Sequence, residues 1–348
     1  MKINSISASR AKTYDTCSFK YLMTYHLYKC EECGETFYDK EMNDKSCPYC
    51  KYAKVSKISM KTNWGAVHGT ALHWVLEQYV NALRGHLQDG TKMSQKDIRY
   101  YLNWRDRVAD IYKVNPPFQE NITFELLALA KTKEYNDIVK DCKNCPLFKA
   151  KKCSITAKAP EEMPGCPKNL YEESLMLVEK MLRDLDDVFK NAKILGTEQS
   201  FEIILNDSSG VERKINGIID LVAQTDKDTI ELYDYKFGNH AQSYDEVATD
   251  IQAKLYSIAA KKLYPGYTNY ILNFQYVKAQ PIVISFSDKE DEETINFILT
   301  KCQEIAAEQQ KIERISNKPE TFWKCKYLCD SALCNIEWGK FVKKFKNT

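Results

Sequence analysis

The sequence predicts a mixed α/β fold whose core runs helix, three strands, helix, strand, an αβββαβ order forming a mixed sheet. A helical N-terminal region and small cysteine-rich, metal-binding insertions surround this core. Two observations predict it. Between residues 171 and 277 the helical apolar period gives way to three β-rich stretches separated by NDSSG and TDKD turns, then returns. Upstream, helical periodicity is interrupted twice by short polar segments in which cysteines recur at metal-ligand spacing.

The 348 residues are 44% apolar and 28% charged, enough to bury a sizeable core. A formal charge of +2 excludes the strong global field of a histone-like binder. Local basic patches remain, in KYAKVSKISMK (51–61) and the C-terminal KFVKKFKNT. There is no apolar run of membrane-spanning length and no secretory-type apolar segment at the N-terminus, so a cytoplasmic protein without a membrane partner is expected. Thirteen cysteines in such a chain argue for metal ligation over disulfides.

Taken in order, residues 5–28 read as helix, opened by the caps in SISAS, and residues 29–55 as a cysteine-rich insertion. TNWGAVHGTALHWVLEQYVNALRG turns helical, with Val75, Leu76, Tyr79, Val80 and Leu83 on one side, and more helix is expected to about residue 140. A second cysteine group follows, then an amphipathic helix over 171–192. Strands are expected at 198–205, 213–224 and 229–237, a helix at 244–264 and a strand at 268–277. The implied units are an N-terminal helix (1–28), a first insertion (29–55), a helical region (62–140) and a second insertion (141–170). A core (171–315) and a C-terminal cysteine segment with a basic tail (316–348) complete the chain.

GIIDLVAQTDKDTIELYDYKFG, residues 217–238, carries the chemistry. Paired as a meander, its strands bring Asp220 and Asp234 onto neighbouring strands, and converging carboxylates repel unless a cation lies between them. Oxygen ligands of this hardness suit Mg²⁺ or Mn²⁺. Lys236, two residues beyond Asp234, faces the same side and can act on a metal-bound water against a phosphodiester. The plainer alternative is a buried Asp234–Lys236 ion pair. Gln252 and Tyr256 share one helix face, as do His73 and Glu77.

GTALHWVLE, GTEQSFEIIL, GIID, LYDYKFG and QAKLY, in that order, resemble the RecB-like branch of the PD-(D/E)XK nuclease superfamily. The nearest types are the CRISPR-associated RecB-like exonucleases and the AddB-type nuclease domain. The resemblance implies a restriction-endonuclease-like core with Mg²⁺ or Mn²⁺ held by His73, Asp220, Asp234 and the carbonyl of Tyr235. It makes Lys236 the catalytic lysine, and Gln252 and Tyr256 a motif that orients the site and contacts DNA. Glu198 sits where the family places a further acid, and Glu77 is a second accessory candidate. Iron–sulfur members hold a 4Fe–4S cluster with one N-terminal and three C-terminal cysteines, which correspond to Cys17, Cys325, Cys329 and Cys334. Here the spacing is C-x3-C-x4-C instead of C-x2-C-x5-C, and a zinc site from the same four thiols stays open.

CEECGETFYDKEMNDKSCPYC presents Cys30, Cys33, Cys47 and Cys50 as two knuckles of a zinc ribbon. Cys142, Cys145, Cys153 and Cys166 suggest a second metal site, zinc or another cluster, with Lys149, Lys151 and Lys152 as phosphate contacts. Cys302 reads as core packing. The expected function is a metal-dependent DNA exonuclease acting at single- or double-stranded ends in recombination, repair, phage replication or CRISPR adaptation. The competing expectation is a non-catalytic DNA-end-binding subunit. No GxxxxGK[ST] sequence occurs, so any unwinding would come from a helicase or recombination partner.

Overall fold

A long β-hairpin organises the core. In the structure, a computed structural model describing residues 5–42, 45–58, 64–87, 89–111, 167–208, 210–238, 240–307 and 331–345, its arms are β5 (Lys193–Asn206) and β6 (Glu212–Asp226). They pair antiparallel from Lys193↔Gln224 to Asn206↔Glu212. The hairpin end is tied by Asp207, which accepts from Val211 N and from the Arg213 guanidinium. Alternating Phe201, Ile203, Ile215 and Ile219 give it an apolar face.

The other edge of β6 is shared by two strands. β7 (Thr229–Lys236) pairs antiparallel from Asp226 back to Leu221, and β1 (Ser5–Ile6) pairs parallel at Lys214 and Ile215. Between them, at residues 216–220, no described strand pairs with this edge. The sheet forks there. β7 continues into β8 (Asn269–Tyr276), pairing parallel along its whole length, and β9 (Ile282–Ile284) closes the sheet antiparallel. A parallel pair needs a crossover, supplied by the short helix Tyr244–Ala248 and the longer helix Ile251–Leu263.

Helices cover both faces. One face packs helix Ala8–Thr16, helix Ile251–Leu263 and helix Asp288–Ala307, which supplies Ile298, Cys302 and Ile305. Cys302 is core packing, as expected. The opposite face packs helix Trp64–Arg84, through Leu72, Val75 and Leu76, and helix Pro167–Asp184, through Val178 and Met181, against Leu221 and Tyr235. The order αβββαβ is therefore present within a three-layer α/β core, and no described helix is long and apolar enough to cross a membrane.

Several expected boundaries move. The helix expected over 5–28 is two helices, Ala8–Thr16 and Ser18–His26, flanked by strands. Cys17 is C-cap of the first and N-cap of the second, its sulfur accepting from Lys20 N. A thiol that caps a helix cannot sit inside one, so the chain turns there. The helix expected over 244–264 breaks likewise, because the Asp250 carboxylate caps Gln252 N. Leu185 divides the helix expected over 171–192. Helices Gln95–Leu102 and Trp104–Ile111 represent the expected helical region, while residues 112–140 lie outside the described residues.

The first cysteine insertion is a three-stranded antiparallel sheet, with β2 (Leu27–Cys30) between β3 (Thr36–Tyr38) and β4 (Val55–Lys57). Helix Ser331–Phe345 crosses to it from the other end of the sequence. Phe341 packs on Phe19 and Tyr38, and the buried Glu337 accepts from the Thr36 hydroxyl at 2.9 Å.

Candidate active site

The site grows from the fork. Beyond the Leu221↔Tyr233 pair, β6 and β7 separate, which strips backbone groups of their ladder partners. Side chains replace them. The Asp220 carboxylate accepts from Tyr235 N at 2.6 Å, and the Tyr256 hydroxyl donates to the Ile218 carbonyl at 2.6 Å. Thr197 Oγ donates to the Asp220 carbonyl at 3.1 Å. Leaving such groups unpaired at a buried fork would cost about 1–3 kcal/mol each. Asp220 and Tyr256 thus hold the fork open as well as lining it.

Opposite Asp220 on β5 stands Glu198, with φ at +45°. That is left-handed backbone in a residue with a Cβ, a strain of about 1–2 kcal/mol. The turned backbone brings the Glu198 and Asp220 carboxylates together with the imidazole of His73, their ligand atoms all within 4.8 Å of one another. His73 Nδ1 lies 3.4 Å from Glu198 Oε1 and 3.4 Å from Asp220 Oδ1, and Nε2 donates to the Tyr235 carbonyl at 3.1 Å. Burial alone would lower the imidazole pKa, but Asp220 and Glu198 outweigh it and raise it to about 10. The two carboxylates thus favour the protonated ring over the neutral one.

Asp234 stands beside this trio rather than within it. Burial, with the Asp220 charge behind it, pushes its pKa up to about 6. Gln252 Nε2 donates to Asp234 Oδ1 at 3.0 Å and to the Tyr256 hydroxyl at 2.8 Å. Lys236 Nζ sits 2.5 Å from the buried Asp234 Oδ2, a tight ion pair. Burial works against the lysine charge, yet Asp234 outweighs it and raises the Lys236 pKa. The plainer expectation of an Asp234–Lys236 ion pair is met, inside a larger constellation. On helix Trp64–Arg84, Glu77 has its pKa raised to about 7 by burial and by the charge of Glu198.

These donors fit a hard divalent cation. Two carboxylates and one imidazole converge, the buried Asp234 carboxylate lies alongside, and a cation would take the place of the imidazolium proton. Sequence reasoning named all of these residues but missed the supports, Thr197 and Asp250. Asp250 accepts from Gln252 N and pairs with Lys12 at 2.6 Å, so it sets the start of the helix that carries Gln252. A capping aspartate directly before IQAKLY was the available signal.

The cysteine sites divide. Cys30, Cys33, Cys47 and Cys50 cluster, with Cys30 Sγ 3.5 Å from Cys50 Sγ and Cys33 Sγ 3.7 Å from Cys47 Sγ. A tetrahedron of ~2.3 Å metal–sulfur bonds has edges of about 3.8 Å. The knuckles repeat each other. Gly34 N donates to Cys30 O and Lys51 N to Cys47 O, and both donors have left-handed backbone, at φ 72° and 63°. The four cysteines can hold a metal ion. Cys17 and Cys334 meet in one apolar cluster with Phe19 and Phe341. Cys325 and Cys329 lie outside the described residues, as do Cys142, Cys145, Cys153, Cys166, Lys149, Lys151 and Lys152.

Comparison with known proteins adds the class. The sequence model of the PD-(D/E)XK nuclease superfamily matches residues 153–334, and the chain belongs to that superfamily. Among solved structures it is similar to SSO0001, at 20% identity and a TM-score of 0.30, over 62% of this chain and 96% of that one. A Eubacterium rectale protein named as an exonuclease is similar at 13% identity and a TM-score of 0.30, over 76% of this chain and 94% of that one. Likeness of this extent carries nothing about substrate. No curated protein matches the chain.

Proposed function

We propose that the protein is a divalent-metal-dependent nuclease that hydrolyses phosphodiester bonds of DNA as an exonuclease, with the fork as its active centre. The observation that supports this most is the convergence of His73, Glu198 and Asp220, with Asp234 and Lys236 alongside. Mg²⁺ or Mn²⁺ bound there would polarise the scissile phosphate and acidify a water. His73, Asp220 and Asp234, with Glu198 as a further acid, would hold it. The Lys236 ammonium, kept charged by Asp234, offers its proton donors to phosphate oxygens as negative charge builds on them. Gln252 fixes the direction of Asp234 and hence of Lys236, and Tyr256 keeps the fork from closing. Cys30, Cys33, Cys47 and Cys50 would hold structural zinc. Cys17 and Cys334, with Cys325 and Cys329, would hold a 4Fe–4S cluster or zinc that clips the two ends of the chain together. The ends of DNA met in recombination, repair, phage replication or CRISPR adaptation are the substrates this reading favours.

The test is cleavage of end-labelled linear and closed circular DNA with Mg²⁺ or Mn²⁺, using wild type and Lys236→Ala. Wild type should shorten linear DNA from an end and spare circles, and Lys236→Ala should lose about 10³-fold in rate while still binding. Cutting of circles would make the enzyme an endonuclease. Metal-replete wild type that binds ends without cutting would support the non-catalytic subunit instead.

A further inference from the structure

The fork opens outward into a groove of about 810 Å³ that the catalytic reading does not explain. Gln252 and Tyr256 stand at its inner end, and the first turn of helix Ala8–Thr16 forms a wall. Its floor includes Gly217 and the half-exposed Ile218. Glycine is required on that floor, because a Cβ at Gly217 would come 2.5 Å from Phe201 Cζ. The volume suits a few nucleotides of one strand.

At the groove's edge the half-buried ring of Tyr25 carries two cations. Arg10 Cζ lies 4.9 Å and Lys57 Nζ 5.5 Å from its centroid. They come from unrelated elements, Arg10 from the helix wall and Lys57 from β4 of the cysteine ribbon. Like charges brought to one aromatic ring repel each other, and an anion between them reverses the sign. Lys57 registers that repulsion. Although the residue as a whole is exposed, shielding of its ammonium and the Arg10 charge hold its pKa below the ordinary lysine range. The carboxylate that opposes this, Asp39, is hydrogen-bonded to His26 at 2.6 Å. Ser7, which caps Arg10 N, and Ser9 add hydroxyls beside the positive end of the helix.

We propose that Arg10 and Lys57, stacked on Tyr25, grip a non-scissile backbone phosphate of a single nucleic-acid strand whose end runs along the groove to Gln252 and Tyr256. The ribbon is then part of the substrate grip through Lys57, in addition to being a folded insertion. This rests on the nuclease reading and goes beyond it in naming a single strand and its second anchoring point.

The experiment measures binding of a fluorescein-labelled single-stranded oligonucleotide by anisotropy over a salt series, with Mg²⁺ omitted so that the strand stays intact. Arg10→Ala and Lys57→Ala should each weaken binding about fivefold. Each should flatten the plot of log K against log salt by about 0.7, the loss of one phosphate contact on a single strand. The double variant should flatten it no further, since both cations share that phosphate. Lys54→Ala, on the same ribbon but paired with Glu31, serves as control and should leave affinity and slope alone. Should Arg10→Ala fail to fold by thermal melt, the exposed Lys57→Ala and Lys57→Glu carry the test. Unchanged affinity and slope in the Lys57 variants, while wild type binds and cuts, overturns the phosphate site and leaves the nuclease standing. An equal loss in Lys54→Ala overturns it too, as a diffuse charge effect. Wild type that neither binds nor cuts any strand overturns the nuclease reading, and the anchoring site with it.

Discussion

The protein builds two cation-shaped clusters by opposite means. Cys30, Cys33, Cys47 and Cys50 come from one stretch of 21 residues, in two copies of the same hydrogen-bonded turn. His73, Glu198 and Asp220 come from a helix and two strands, and they meet at a gap in the sheet that Tyr256 and Asp220 themselves keep open. The first is soft, four-fold and complete in protein ligands, as a structural site is. The second is hard and three-fold, which would leave coordination positions on a bound Mg²⁺ or Mn²⁺ for water and phosphate. A cluster held by so short a segment would depend on a bound metal to fold. A cluster assembled by the core is already in place before any metal arrives.

Four tests bear on that contrast. Chelation has the largest expected effect. Removing the ribbon metal should melt β2–β4 and bring four thiols into reaction with a thiol reagent, because a segment this small has little other core. Withholding Mg²⁺ and Mn²⁺ should abolish cleavage and leave circular dichroism unchanged. A ribbon that keeps its thiols protected after metal loss would end the distinction.

The second is linkage to pH. With its pKa raised to about 10, the His73 charge stabilises the metal-free fold fully below pH 6.5, and the contribution is lost as pH rises through about 10. A metal takes only the neutral ring, so binding at pH 7–8 should release close to one proton. Apparent metal affinity should then rise about tenfold per pH unit. Calorimetry in two buffers of different ionisation enthalpy reads the proton count directly. A count of zero would remove His73 from the ligand set.

The third concerns the strain at Glu198. Glycine adopts φ +45° without penalty, so Glu198→Gly should be about 1 kcal/mol more stable than Glu198→Ala, which loses the same contact with His73 but keeps the strain. Both variants should weaken Mn²⁺ binding. Equal Tm values for the two would show that the conformation carries no strain. The smallest effect belongs to Tyr256→Phe. Losing the hydrogen bond to Ile218 should cost about 1 kcal/mol of stability. It should lower kcat more than it changes KM, and an equal change in both would assign Tyr256 to substrate binding alone.

Much of this was legible in the chain. Strands β5 to β8 announce themselves as β-rich stretches between turn signals, and the ribbon does so because its ligands come in C-x2-C pairs. Asp220, Asp234 and Lys236 stood out as charges in apolar runs. Short strands β1 and β9 did not, since two or three residues carry no period. The helix break at Cys17 was also hidden, because a cap changes the backbone without changing hydrophobicity, whereas Asp250 before IQAKLY carried a capping signal.

The kinds of ligand, the αβββαβ order and the local ribbon follow from residue chemistry and short-range patterning in the chain. Which ligands meet depends on long-range packing. The fork exists because β7 and β1 divide one edge of β6 between them, a matter of long-range pairing. The left-handed turn of Glu198 is tolerated because the sheet around it holds it there. Arg10 and Lys57 reach one ring only because the ribbon folds back over the helix before it. Such meetings depend on contacts between distant residues, and those contacts leave no periodic trace in the chain.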